Sequence, residues 1–203
     1  MKILFLYNSE ISNSLICWLK KEAKEDLITH DKPLNLKFIK KIKPDFVISY
    51  NYRSIISKEI INYMKVNIIN LHISLLPWNK GAHPNVWSFL DNTQKGVTIH
   101  VIDEGIDTGR ILVQKEIYMD ENTETLKSSY EKLHKGIQKL FKVSWNDIKN
   151  KKLKLIPQVS RGSVHYIRDF IKIENLLGDK GWDIPIKEFK IKYEKVKEGV
   201  KNN

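Results

Sequence analysis

An amide and an imidazole two residues apart, Asn70 and His72, stand at the end of an apolar run over residues 66–71. Further along, a second apolar run over residues 96–102 leads into the acidic loop Asp103-Glu104-Gly105-Ile106-Asp107-Thr108-Gly109. Side chains in a strand alternate between faces with period two, so Asn70 and His72 point the same way. An amide that donates to a developing oxyanion, an imidazole that handles a proton near neutral pH and a carboxylate that orients that imidazole suit acyl transfer to an amine. Asp107 takes the carboxylate role, and its rivals Asp103 and Glu104 fit better as polar loop residues.

Several elements must hold these groups in place. The pattern predicts a strand over 2–7, a helix over 11–23, a brief strand over 27–30 and a short helix over 35–42 closed by Pro44, because the residue before proline resists the helical region. Strands follow at 45–50 and 66–71, with helices at 56–65 and at 83–90, the latter entered through Gly81 and Pro84. Two further strands, 96–102 and 110–118, precede a long amphipathic helix over 123–148. This alternation predicts an α/β, Rossmann-like fold: a mainly parallel twisted sheet with helices on both faces. In such sheets ligands sit beyond the carboxyl ends of the strands, where Asn70, His72 and the acidic loop fall. We expect a catalytic domain over 1–150 and a C-terminal extension over 151–203. Within the extension, 158–165 has loop composition. Residues 186–203 are basic and weakly patterned, fitting a strand or helix, an oligomer contact or a frayed end.

Several chemistries are excluded or disfavoured. The first turn, Tyr7-Asn8-Ser9-Glu10-Ile11-Ser12-Asn13, has no glycine, which argues against a nicotinamide cofactor and against a Walker-type phosphate loop. His30, His72, His83, His100, His134 and His165 are scattered, so no metal site is expected. A Gly-x-Ser-x-Gly nucleophile elbow is missing. Cys17, in the apolar run 15–19, reads as core. No run approaches the ~20 apolar residues of a membrane span, so a cytoplasmic protein with no membrane partner is expected. The net charge is +11, but residues 149–203 hold 14 Lys/Arg against 7 Asp/Glu, so most of the excess lies in the tail. That distribution reads first as a solvated lysine face and second as affinity for an anionic substrate such as a nucleotide diphosphate; it weighs against nucleic acid as a partner.

Taken in order, Asn70-x-His72-x-Ser74-Leu75-Leu76-Pro77, then Gly81, then Gly96-Val97-Thr98-Ile99-His100 and Asp103 to Gly109 resemble the formyltransferase domain that uses 10-formyltetrahydrofolate. The resemblance implies transfer of a formyl group from the folate N10 to a primary amine, with Asn70, His72 and Asp107 as the catalytic trio. It places folate, as co-substrate, beside Tyr52, Arg53, Ser54 and Ile55 and against Asp103 and Gly105. Arg53 also fits a phosphate contact or a plain surface arginine.

The family includes glycinamide ribonucleotide, methionyl-tRNA and sugar-nucleotide enzymes. The glycine-rich first turn of the first group is absent. The extra C-terminal domain of the second does not fit the residues left after the long helix. The segment Pro77 to Phe89 is similar to the loop and helix of sugar N-formyltransferases, which implies substrate contacts from Trp78, Asn79, Lys80, His83, Asn85 and Trp87; for Trp87 and Phe89, core packing competes. The segment 160–166 reads as a plain loop or as a flap over the sugar. The expected substrate is a nucleotide-linked amino sugar, such as dTDP-4-amino-4,6-dideoxyglucose, destined for a surface glycan such as the lipopolysaccharide O-antigen. Alternatives are a truncated methionyl-tRNA formyltransferase and a non-catalytic folate-binding protein. The resemblance also implies a homodimer built with C-terminal segments.

Overall fold

The computed structural model describes residues 1–201, so the last two residues of the basic tail lie outside the described residues. The strands are β1 (Lys2–Leu6), β2 (Asp26–His30), β3 (Phe46–Ser49), β4 (Ile68–His72), β5 (Lys80–Gly81), β6 (Gly96–Val101), β7 (Ile111–Glu116) and β8 (Val164–His165). The helices are α1 (Asn13–Lys21), α2 (Leu36–Ile42), α3 (Lys58–Met64), α4 (Pro84–Leu90), α5 (Leu126–Lys149), α6 (Ile167–Ile171) and α7 (Ile186–Lys201). Six strands form one sheet in the order β2-β1-β3-β4-β6-β7, and β5 pairs with β8 in a second. The pairings β1–β2, β1–β3 and β3–β4 are parallel, whereas β4 and β6 are antiparallel.

The chain forms two compact units that alternate along the sequence. The first comprises 1–72, 98–113 and 137–158; the second comprises 73–97, 114–136 and the chain from Val159 on. In the first unit the parallel central strands β1, β3 and β4 are largely apolar on both sides, as strands covered on both faces require. Leu4, Leu6, Val47 and Ile68 pack with Ile39 of α2 and with Ile60 and Met64 of α3. Phe46, one residue out of phase with Val47, meets Trp145 of α5 edge-on, and Trp145 lies against Phe141. Glu25 is buried beside these aromatics and accepts from Trp145 Nε1 at 3.1 Å and Lys149 Nζ at 2.9 Å, with the amino terminus at 3.1 Å. Burial opposes ionisation of Glu25, but the bonds from Lys149, the terminal amine and Trp145 outweigh it and hold its pKa below the ordinary value.

In the second unit one core joins α4 through Val86, Trp87, Phe89 and Leu90 to Phe170 of α6 and to Ile186 and Phe189 of α7. The basic tail is therefore a helix whose apolar stripe is buried within this unit. No helix among the described residues is long and apolar enough to cross a membrane.

Local chemistry explains where the elements depart from the sequence pattern. The first helix starts late because residues 10–12 make a 3-10 turn capped by Ser9, whose side chain accepts from Ile11 N. Asn35 caps α2 by accepting from Phe38 N at 2.9 Å. Thr125 and Ser128 exchange side-chain to backbone bonds just before the long helix, which delays its start to Leu126. Cys17 is exposed, not core: Leu15 and Leu19, four apart, take the buried side of α1 and leave Cys17 on the other. Residues 158–165 are largely loop, but Val164 and His165 pair with Lys80 and Gly81. Gly162 permits this docking, since it sits at φ +60° and a Cβ there would lie 1.8 Å from Pro77 O.

His134, buried on α5 against Tyr130, has its pKa pushed down to about 4 by burial. The folded protein keeps this imidazole neutral between about pH 4 and 6.5, whereas the unfolded chain protonates it, so stability falls as pH drops through that window. Urea titrations at pH 7 and 4.5 should show a loss of about 2 to 3 kcal/mol from this group, absent in His134→Met.

Candidate active site

All three expected catalytic side chains converge within the first unit. β4 ends with Asn70, Leu71 and His72, and its antiparallel pairing with β6 sets Asn70 opposite His100 and His72 opposite Thr98. The loop after β6 then returns Asp107 to these residues. Its Oδ1 lies 3.2 Å from Asn70 Nδ2 and 3.3 Å from His100 Nε2, and its Oδ2 lies 3.6 Å from His72 Nδ1. The first is a hydrogen bond, and the other two are ion-pair distances whenever the imidazole carries a proton. Both histidines are buried and Asp107 is largely buried, so charge here acts in a weakened dielectric.

The contacts fix which atoms face the cluster. A carboxylate only accepts, so the nitrogen of the Asn70 amide faces Asp107. His100 Nδ1 lies 2.9 Å from the Val101 carbonyl, which also only accepts, so that nitrogen carries the proton. His100 Nε2 then accepts from Asn70 Nδ2, 3.4 Å away, when the ring is neutral, and donates to Asp107 when it is protonated.

The acidic loop is shaped for this purpose. Asp103 accepts from Gly105 N at 3.1 Å and from Thr108 Oγ1 at 2.6 Å, while Glu104 pairs with Lys58 at 3.0 Å. Neither rival carboxylate belongs to the cluster. Gly109 passes so close to β6 that a Cβ would lie 1.7 Å from Val101 O. Asp107 adopts φ +51°, a left-handed conformation that a non-glycine residue holds only when its surroundings enforce it. Gln158 supplies part of that enforcement: its Nε2 donates to Asp107 O at 2.8 Å and to Gly109 O at 2.9 Å.

His100 and Gln158 were not among the expected site residues. His100 lay inside a quoted motif, but its role depends on an antiparallel pairing that spacing does not reveal. No local signal marked Gln158, which lies 51 residues from Asp107.

The residues expected at folate are spread along one loop of this unit and in the acidic loop. Tyr52 donates its hydroxyl to Lys32 O at 2.6 Å, Arg53 is exposed with its backbone N–H on Asn8 Oδ1, Ser54 is half-buried, and Ile55 is 94% exposed. Asp103 and Gly105 are held by the loop contacts just described. Asn51 Nδ2 and Gln158 Oε1 are among the buried polar atoms of this unit that have no protein partner.

In the second unit the six expected substrate residues separate. Asn79 is buried with Ser163 and Thr93 as partners, Asn85 is buried with its amide on Leu126 O and Ser129 Oγ, and Trp87 is buried with its ring stacked on His165 at 4.1 Å. Asn79 is held by side-chain partners, whereas Asn85 Oδ1 and Trp87 Nε1 are buried with no protein partner. Lys80 is buried and donates to Arg161 O at 2.9 Å, whereas Trp78 is exposed and His83 half-buried. His165 is held by Asp91 at 2.7 Å, which ties the 160–166 segment to α4 as a docked loop.

A family model described as formyl transferase matches residues 18–142. The chain belongs to this family. Its structure is similar to that of the formyltransferase PseJ from Anoxybacillus kamchatkensis, solved with UDP-4,6-dideoxy-4-formamido-L-AltNAc and tetrahydrofolate: 44% identity, 93% of this chain and 97% of that one covered, TM-score 0.86. It is also similar to a 4-N formyltransferase from Francisella tularensis, with 25% identity, 85% and 79% covered and TM-score 0.70. In sequence it is 31% identical over 169 residues to a methionyl-tRNA formyltransferase from Clostridioides difficile, covering 72% of this chain and 52% of that protein. The chain thus spans about half the length of that curated relative.

If Gln158 holds the catalytic loop, Gln158→Ala should lower kcat about ten- to hundredfold with little change in Tm. Gln158→Glu should cost more, because a carboxylate oxygen would then face two carbonyls. Steady-state kinetics with thermal melts on both variants check this.

Proposed function

We propose that this formyltransferase family member moves a formyl group from 10-formyltetrahydrofolate to the 4-amino group of a nucleotide-linked dideoxy sugar, with UDP as the carrier. The convergence of Asn70, His72 and His100 on Asp107 carries the reaction type. The near-full-length likeness to PseJ supports the acceptor and favours UDP over the dTDP expected from sequence. The unpartnered donor Asn51 Nδ2 and acceptor Gln158 Oε1, with the exposed apolar Ile55, suit a hydrogen-bonding heterocycle such as the folate pterin. A homodimer and a product used in surface-glycan assembly belong to the same proposal and rest on the family resemblance.

The folate co-substrate supplies the formyl carbon. Asn70 Nδ2 keeps one N–H on Asp107 and turns the other, which faces His100 Nε2 in the free protein, to the oxyanion that develops on the formyl oxygen as the amine attacks. His72 takes the proton released from the amine through Nε2, the ring nitrogen that Asp107 does not face, and returns it to the departing folate nitrogen. Asp107 stabilises the imidazolium in between.

Purified protein should be offered 10-formyltetrahydrofolate with UDP- and dTDP-linked 3- and 4-amino sugars and with charged methionyl-tRNA, and products read by mass. The expected result is the gain of one carbonyl on a UDP-linked 4-amino sugar. Formylation of the tRNA alone overturns the acceptor, and no product from any amine favours a folate-binding protein. His72→Ala and Asp107→Asn should each reduce turnover about 10²- to 10⁴-fold; full activity in either refutes the assigned roles.

A further inference from the structure

Three aromatic rings of the second unit lie nearly parallel. His83 stacks on Phe170 with centroids 4.0 Å apart and 22° between planes. Trp182 lies 5.4 Å from Phe170 at 11° and 6.0 Å from His83 at 12°. Packed carbons approach to about 3.5 Å, so parallel rings on opposite faces of Phe170 would have centroids about 7 Å apart or more. The observed 6.0 Å therefore puts His83 and Trp182 on the same face of Phe170, side by side in one plane. Together they make a two-ring shelf. Phe170, 2% exposed, backs it, while Trp182 remains 41% exposed.

The shelf is held rigidly. His83 adopts φ +51° immediately before Pro84, and its carbonyl accepts from Trp87 N at 3.2 Å as α4 begins. Burial pushes the His83 pKa below 6.5, against the weaker opposing pull of Glu174, so the ring is uncharged at neutral pH. A neutral, planar aromatic surface that is half-buried at His83 and exposed at Trp182 attracts a planar π-system.

We propose that the His83–Trp182 shelf is the stacking site for the nucleobase of the nucleotide-linked substrate. The inference rests on the function proposed above. Of that substrate's parts, the amino sugar and the diphosphate are not planar, and only the base matches the flat surface. Sequence singled out His83 as a substrate contact, but Trp182 carried no signal, because its place beside His83 depends on how residues 174–183 fold back.

The test is calorimetric titration of the wild type, Trp182→Ala and Trp182→Phe with UDP, dTDP, inorganic pyrophosphate and tetrahydrofolate. Base–aromatic stacking is worth about 1–3 kcal/mol, so Trp182→Ala should raise the Kd for UDP or dTDP about five- to hundredfold. Trp182→Phe should restore most of the affinity, and pyrophosphate and tetrahydrofolate should bind all three proteins alike. Unchanged UDP and dTDP affinity in Trp182→Ala overturns the inference, as does an equal loss for pyrophosphate or a loss for tetrahydrofolate alone. Wild-type protein that binds neither UDP nor dTDP more tightly than pyrophosphate overturns it too, even if a sugar nucleotide is formylated. The formylation panel on the same preparations tests the reaction separately.

Discussion

One carboxylate organises the buried polar cluster of the first unit. Asp107 faces the Asn70 amide and two imidazoles from two antiparallel strands, and each of its oxygens has a cationic or hydrogen-bonding neighbour. Such a group is costly to bury unless its partners are in place. The β4–β6 register, the close passage of Gly109 against Val101, the Asp103 turn and the Gln158 clamp can all be understood as conditions that keep this carboxylate where its partners are. The left-handed backbone at Asp107 is the visible sign of that constraint.

The convergence of Asn70, His72 and Asp107 was legible in the sequence for a simple reason: period-two alternation and a strand end are enough to align Asn70 with His72, and a short loop rich in glycine and aspartate marks the return. The parallel sheet was equally legible from the apolar runs and the helices between them. What depended on long-range docking was not. Cys17 was misplaced because an apolar run hides which helix face is buried. Asn79 bonds to Ser163, Asn85 to Ser129, and Trp87 stacks on His165, contacts between residues distant in sequence that no local pattern announces. The weakly patterned tail became a helix because α4 and α6 supply an apolar surface for its stripe.

The two units differ in how they use polar groups. In the first, buried polarity gathers where β4 and β6 pair, around Asn70, His72 and His100, where chemistry is proposed. In the second, it is spent on fastening loops: Lys80 on Arg161 O, Asn79 on Ser163 and Asp91 on His165. The aromatics of α4 and α6 are buried in the core of this unit, whereas Trp182 of the 174–183 segment stays 41% exposed.

The alternation of the units along the chain bears on how the protein is made. A ribosome releases Asp107 well before Gln158, the side chain that ties down its loop, and neither unit exists as an uninterrupted stretch of nascent polypeptide. Each unit closes only through contacts between segments far apart in sequence, a high-contact-order arrangement that slows folding and delays it until late in translation. The loop that carries Asp107 thus gains its final shape only after Gln158 has emerged, and a chain cut off before that point holds Asn70, His72 and Asp107 without the clamp that orders them.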